Sequence, residues 1–329
     1  MKILMIFTGG TIGSTQKGEY IYKDKNKPYV LLEMYKDRYG LDFDYDVLEP
    51  YYELSENNTG LNLDKLARCV KDNLNKDYDG IIVTHGTDTL QYTASALSYA
   101  LGSDIIPVCL VSSNYTLTDT RANGVENLQG AVKFIERKNE KGVWVSYKNR
   151  NENLKIHRGT RLLQNNAFSD NFESAFNMEY GKFDKDFNFI KNPDYVEKAD
   201  EIQPLSLENI GEFSKEIMWI NPYVGMCYPE IGNEVKYVIH NSFHSGTINT
   251  VSHSAKSFFR KAGDKGVKVY LTGTVGGIAY ESTKKFEDFN ITCLNNITPV
   301  SAYIKLWLTL NSNKDPKDIM EKSLSGDII

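Results

Sequence analysis

The chain has 329 residues, of which 41% are hydrophobic and 25% charged, and its formal net charge is −5. That length exceeds what one hydrophobic core usually serves, and the composition excludes a disordered chain, so two folded domains are expected. Acids and bases are mixed along the sequence with no basic face for nucleic acid, and no window is apolar enough for a membrane helix.

The expected ligand is therefore a small polar molecule. Cys69, Cys109, Cys227 and Cys293 show neither CxxC nor zinc-ribbon spacing, which fits a reducing compartment. The apolar run Met1–Phe7 is short and meets Thr8-Gly9-Gly10 without a small-residue cleavage site, so a strand and a cytoplasmic location are expected.

In chain order, the continuous apolar run 2–7 predicts a strand buried on both faces. Leu63, Leu66, Ala67, Val70 and Leu74 recur at helical spacing and predict a helix over 62–75. A second buried strand is expected at 80–83, then the turn 84–89, then a helix over 88–101. Strands at 105–111 and 143–147 flank a helix at 121–137. This alternation indicates βαβ units and a parallel sheet. The pattern weakens over 165–215 and reads as irregular chain. Strands are then expected at 222–228, 235–241 and 267–272, with helices at 250–262, 298–310 and 315–323. The predicted fold class is α/β: a larger Rossmann-like domain over 1–190, a linker over 191–211 and a smaller α/β domain over 212–329.

Two turns carry candidate chemistry. Thr8-Gly9-Gly10-Thr11-Ile12-Gly13 follows the first strand. Its GGxxG spacing departs from the dinucleotide pattern GxGxxG, and the polar stretch after Gly13 offers no helix to hold a pyrophosphate. Thr84-His85-Gly86-Thr87-Asp88-Thr89 follows the strand at 80–83 and leads into a helix. Thr87 and Asp88 are ordinary helix caps by type. Yet two threonine-bearing turns at the carboxyl ends of parallel strands lie where open α/β sheets bind ligands. His240 and His244 have the four-residue spacing of zinc ligands, but they sit on an expected strand with no Glu between them, so no metal or cofactor is expected. His85, inside its motif, is expected to fix the turn rather than act as a base.

TGGTIG at 8–13 and HGTDT at 85–89, ordered and spaced as they are, resemble the two signatures of the bacterial-type L-asparaginases. Further similarity lies in Ser55-Glu56-Asn57, in Arg121 with Glu126-Asn127-Leu128, and in Ile297-Thr298-Pro299. The resemblance implies an L-asparagine amidohydrolase in which Thr11 attacks the side-chain amide to give an acyl-enzyme. It implies a tyrosine partner on the segment after the first motif, Tyr20 or its competitor Tyr22. Thr87 is implied for the water or the oxyanion, Asp88 and Glu56 for the substrate α-ammonium, and Ser55 for the α-carboxylate. Ser55 and Glu56 also read simply as a loop before a helix. A homodimer or homotetramer is implied, each site completed by a neighbour's C-terminal domain.

One departure stands out. In Arg158-Gly159-Thr160-Arg161-Leu162-Leu163-Gln164, Gln164 falls where the family has a lysine. Glutamine carries no charge and cannot act as a base. Either the alignment slips, a cation such as Arg161 reaches in, or activity is reduced or redirected. The rival readings are a nearly inactive amino-acid-binding relative and the amidase subunit of a tRNA-dependent amidotransferase. Such a subunit is expected to carry an extra domain before the first motif, which here begins at residue 8.

Overall fold

Strand β1 (Lys2–Phe7) is the six-residue apolar run, buried from Ile3 onward. It ends in a single 3-10 turn at Thr11–Gly13. The computed structural model describes residues 1–17, 20–23, 27–165, 168–207, 213–277 and 280–329. A hairpin of β2 (Ser14–Lys17) and β3 (Tyr20–Lys23) follows the turn, then α1 (Lys27–Tyr39) and β4 (Asp44–Leu48). A second 3-10 turn at Ser55–Asn57 precedes α2 (Gly60–Lys71). Next come β5 (Gly80–Thr84), α3 (Leu90–Leu101), β6 (Val108–Val111), α4 (Gly124–Ile135), β7 (Val143–Lys148) and β8 (Leu154–Arg158). A 3-10 turn at Gly159–Arg161 and the short strands β9 (Gly181–Phe183) and β10 (Phe189–Lys191) complete the first sheet.

That sheet has eight strands in the order β10-β9-β8-β7-β6-β5-β1-β4. Strands β4, β1, β5, β6 and β7 run parallel, whereas β8, β9 and β10 are each added by antiparallel pairing to the strand before. From β1 the chain goes outward to β4, then crosses back to β5 and proceeds the other way. The topological switch point therefore lies between β1 and β5, and both threonine turns emerge there.

The second sheet is wholly parallel, in the order β11 (Ile217–Ile220), β12 (Tyr237–Asn241), β13 (Lys268–Thr274), β14 (Ile291–Asn295). Helices α5 (His253–Asp264), α6 (Lys285–Asp288), α7 (Pro299–Asn311) and α8 (Pro316–Ile319) accompany it. The strand expected at 222–228 lies instead at Ile217–Ile220. Pro222 has no N–H to give a ladder, and the apolar run IMWI before it is the better strand. The helix expected over 315–323 spans only Pro316–Ile319, capped by the Asp315 carboxylate on Lys317 N.

The two sheets share a core. Leu97 and Leu101 of α3, Ile304 and Leu308 of α7, and Ile239 and Tyr270 of the second sheet belong to one buried cluster. Ser95 and Ser301 hydroxyls meet at 3.0 Å across the α3–α7 contact. The C-terminal tail closes this junction. Asp327 accepts from Lys305 Nζ (2.7 Å), Tyr99 Oη (2.9 Å) and Leu324 N (3.0 Å), with Lys305 and Asp327 both fully buried. Among the described residues no helix is long and apolar enough to cross a membrane.

Candidate active site

Each of the two turns needs a glycine where the other chain segment approaches. Gly10 has φ 78°, and a Cβ there would lie 2.3 Å from Gly86 N. A Cβ on Gly86 would lie 2.4 Å from Ser55 Oγ and 3.2 Å from Gly10 Cα. Glycine is thus what lets the three segments touch. Backbone bonds fix the approach: Gly10 N donates to Glu53 O and Glu53 N to Thr8 O, both at 2.9 Å. The Thr8 hydroxyl donates to Thr84 O at 2.7 Å, tying the end of β1 to the end of β5. The first turn therefore brings Thr11, half-buried, beside the segment of buried Ser55 and the turn bearing half-buried Thr87.

The second turn is held from behind by His85, which is fully buried. Its Nδ1 lies 2.8 Å from Gly86 O, and its Nε2 lies 2.9 Å from the Thr93 hydroxyl and 3.1 Å from Asn58 Nδ2. Burial pushes its pKa down to about 4, so the ring is neutral at pH 7. These partners assign the proton to Nδ1, donating to Gly86 O, with Nε2 accepting. Both ring nitrogens are engaged in holding the turn.

The N-cap of α3 is Thr89, not Thr87 or Asp88. The Thr89 hydroxyl donates to Ser55 O at 2.9 Å, and Asn58 Nδ2 lies 3.3 Å from it. Asn58 and Thr89 are thus the staples joining the two loops, and the sequence reading missed them. Thr89 closes the 85–89 motif and Asn58 follows Ser55-Glu56-Asn57, but no local pattern marks the bond between them. Asp88 is exposed, and among the described residues its carboxylate takes no hydrogen bond or ion pair. Its carbonyl accepts Gln91 Nε2 at 3.1 Å. A free carboxylate and a half-buried threonine thus precede a 12-residue helix whose first N–H groups lack helical partners. Glu56 is exposed beside Ser55.

Tyr20 and Tyr22 lie two residues apart on β3 and so project from the same hairpin face. Their rings are 6.5 Å apart, at 67% and 49% exposure. Both stay open to solvent. Gln164 is exposed and lines a cleft of about 290 Å³ with Asn171, Glu173, Asn241 and Thr298. Arg161 is fully buried by the C-terminal tail: its Nε donates to Gly326 O at 2.7 Å and its guanidinium stacks 4.6 Å over the Tyr195 ring, while Nη1 and Nη2 have no hydrogen-bond partner among the described residues. His240 is buried against Tyr228 Oη (2.9 Å) and Asn241 O (2.7 Å). Among the described residues no group of three or more His, Cys, Asp or Glu could hold a metal ion.

A family model for the asparaginase N-terminal domain matches residues 2–195. The L-asparaginase of Thermococcus kodakarensis is 26% identical over 366 residues, covering 100% of this chain and 99% of that protein. A glutamyl-tRNA(Gln) amidotransferase subunit of Haloquadratum walsbyi is 28% identical over 84% of this chain, which spans only 63% of that relative's length. Among solved structures, the thermostable L-asparaginase of T. kodakarensis superposes with a TM-score of 0.78 at 22% identity, covering 100% of this chain and 99% of that one. The probable cytoplasmic L-asparaginase of Campylobacter jejuni gives 0.73 at 22% identity, covering 97% and 98%. At such identities the superpositions speak for the fold. The family model supplies the assignment: with residues 2–195 matched, this chain belongs to the asparaginase family and is a hydrolase acting on amides.

Proposed function

We propose that the chain hydrolyses L-asparagine to L-aspartate and ammonia, without a cofactor and with Thr11 as nucleophile. The observation that carries this reading is the contact of Gly10, Gly86 and Ser55, which gathers the Thr11 turn, the Thr87–Asp88 turn and Ser55 at the switch point of the sheet. Amide cleavage needs a nucleophile, a route for its proton and donors for the oxyanion. The Thr11 oxygen adds to the carboxamide carbon while its proton passes to the Tyr20 or Tyr22 hydroxyl, which hands its own proton on towards the leaving nitrogen. The C–N bond breaks as the nitrogen takes a proton and leaves as ammonia. Water at Thr87 then hydrolyses the ester, returning the proton to Thr11. Ser55 takes the substrate α-carboxylate. Asp88 and Glu56, both exposed beside this junction, take its α-ammonium. We further propose that the protein works in the cytoplasm as a homodimer or homotetramer, a neighbour's C-terminal domain completing each site.

The test of this reading is substrate discrimination. Asp88→Asn removes a charge-assisted partner, about twice as strong as a neutral one, so asparagine should lose far more kcat/KM than succinamic acid, which lacks the amine. Equal losses for the two compounds would overturn the pairing.

A second reading is favoured by the relatives named as subunits of glutamyl-tRNA(Gln) amidotransferase. On that reading the chain supplies ammonia to partner subunits. Ammonia release from free asparagine by the isolated chain supports the first reading. Release from glutamine that appears only with partner subunits supports the second. A third outcome, asparagine binding without turnover, would mark an attenuated relative and point to Gln164.

A further inference from the structure

Thr11 lies in a turn of three residues that runs directly into the β2–β3 hairpin, so its position depends on how the peptide at Gly13 is held. From within the turn, Gly13 N donates to Gly10 O at 3.0 Å, and the Ser14 hydroxyl donates to the same carbonyl at 2.7 Å. The Gly13 carbonyl takes its partner from outside: the hydroxyl of half-buried Tyr52 donates to it. The hydroxyl end of the Tyr52 ring lies against Gly13. A Cβ there would stand 2.6 Å from the Tyr52 oxygen, 3.3 Å from Cζ and 3.5 Å from Cε2. Gly13 is outside the left-handed region, so the ring, and not the backbone angle, is what demands glycine. Tyr52 is itself anchored, because the next residue, Glu53, makes the backbone bonds to Thr8 and Gly10.

We propose that Tyr52 is a positioning residue for the reaction at Thr11. Its hydroxyl fixes the peptide where the nucleophile turn becomes the hairpin that carries Tyr20 and Tyr22. One side chain thereby sets the spacing between nucleophile and proton acceptor without touching substrate. This inference rests on the reading of Thr11 as nucleophile.

The consequence is kinetic. Tyr52→Phe keeps the ring and loses one hydrogen bond, so kcat for asparagine falls about tenfold while KM stays within about twofold. Amide hydrogen exchange over residues 10–17 speeds up. Gly13→Ala pushes a methyl group into the Tyr52 oxygen and lowers kcat further. Combining it with Tyr52→Phe removes that oxygen, so the double variant exceeds Gly13→Ala alone, a coupling of about tenfold. A purely structural Tyr52 would lower thermal stability with kcat unchanged and the two substitutions additive, and that result overturns the proposal. If the wild type releases no ammonia from asparagine, the functional reading fails separately. Exchange then decides: faster exchange over 10–17 in Tyr52→Phe supports the positioning role, and unchanged exchange overturns it.

Discussion

Gly86→Ala perturbs the junction on which the functional reading stands. The new methyl group would lie 2.4 Å from Ser55 Oγ and 2.7 Å from Ser55 Cβ. Ordinary carbon contacts start near ~3.5 Å, so one side must yield by roughly 1 Å. Ser55 is buried and its carbonyl is tied to the Thr89 hydroxyl, while Gly86 O is tied to His85. Neither side gives easily, and overpacking of this kind costs about 1–3 kcal/mol of stability. The kinetic effect is larger, because a misplacement of about 1 Å can cost about a hundredfold in rate. Asparagine turnover should therefore show kcat/KM down about a hundredfold in a protein that still melts cooperatively. Gly263→Ala in α5 is the control, since nothing lies within 4 Å of its new methyl group. It should leave turnover unchanged and the helix slightly more stable, because alanine outranks glycine there. Wild-type kcat/KM in Gly86→Ala would refute the convergence of Ser55 with the two turns as the basis of the site.

Three further outcomes follow from buried charge and from Gln164. His85, His157 and His240 are buried, with pKa values pushed down by burial from 6.5 to about 4, 3 and 4. Between those values and 6.5 the unfolded chain binds more protons, so stability is fully present above pH 6.5 and falls as pH drops, by up to about 4 kcal/mol per pH unit for three histidines. Denaturant unfolding measured from pH 7 to 4.5 checks this, and a flat profile contradicts it. Asp327→Asn strands the Lys305 ammonium in the α3–α7 junction and should cost about 3–5 kcal/mol, whereas replacing both partners, Lys305→Met with Asp327→Leu, should cost less. Equal losses would show that the pair is not the source of the effect. Gln164→Lys adds an ammonium at an exposed position, so the fold should tolerate it within about 0.5 kcal/mol. A roughly tenfold rise in kcat is expected if the lysine can assist at Thr87 and Asp88. Unchanged kcat would assign that assistance to another group.

The buried parallel strands were legible because uninterrupted apolar runs such as Ile3–Phe7 and Ile81–Val83 have few alternatives to a sheet covered on both faces. Edge and antiparallel elements were not. Strand β4 alternates exposed and half-buried residues, and β8 follows β7 through a short polar turn, so neither shows a continuous apolar signal. The β2–β3 hairpin lies in the polar, charged stretch after Gly13, which carries no strand alternation. The two threonine turns were legible from their place after apolar strands and from their resemblance to the family's two signatures. Their mutual contact, and the staples Asn58 and Thr89, depend on tertiary packing that no local pattern encodes. The role of Arg161 was hidden for the same reason: its partner, Gly326, lies 165 residues away.

The most direct test of the central claim is Thr11→Ala. Ammonia release from L-asparagine and calorimetric binding of L-aspartate should be measured on the same preparation. On the proposed mechanism, Thr11→Ala abolishes the covalent route but leaves the proposed recognition by Ser55, Glu56 and Asp88 in place. The expected result is turnover at background with aspartate affinity within about threefold of wild type. Wild-type kcat in Thr11→Ala would contradict the assignment of Thr11 and, with it, the proposed mechanism.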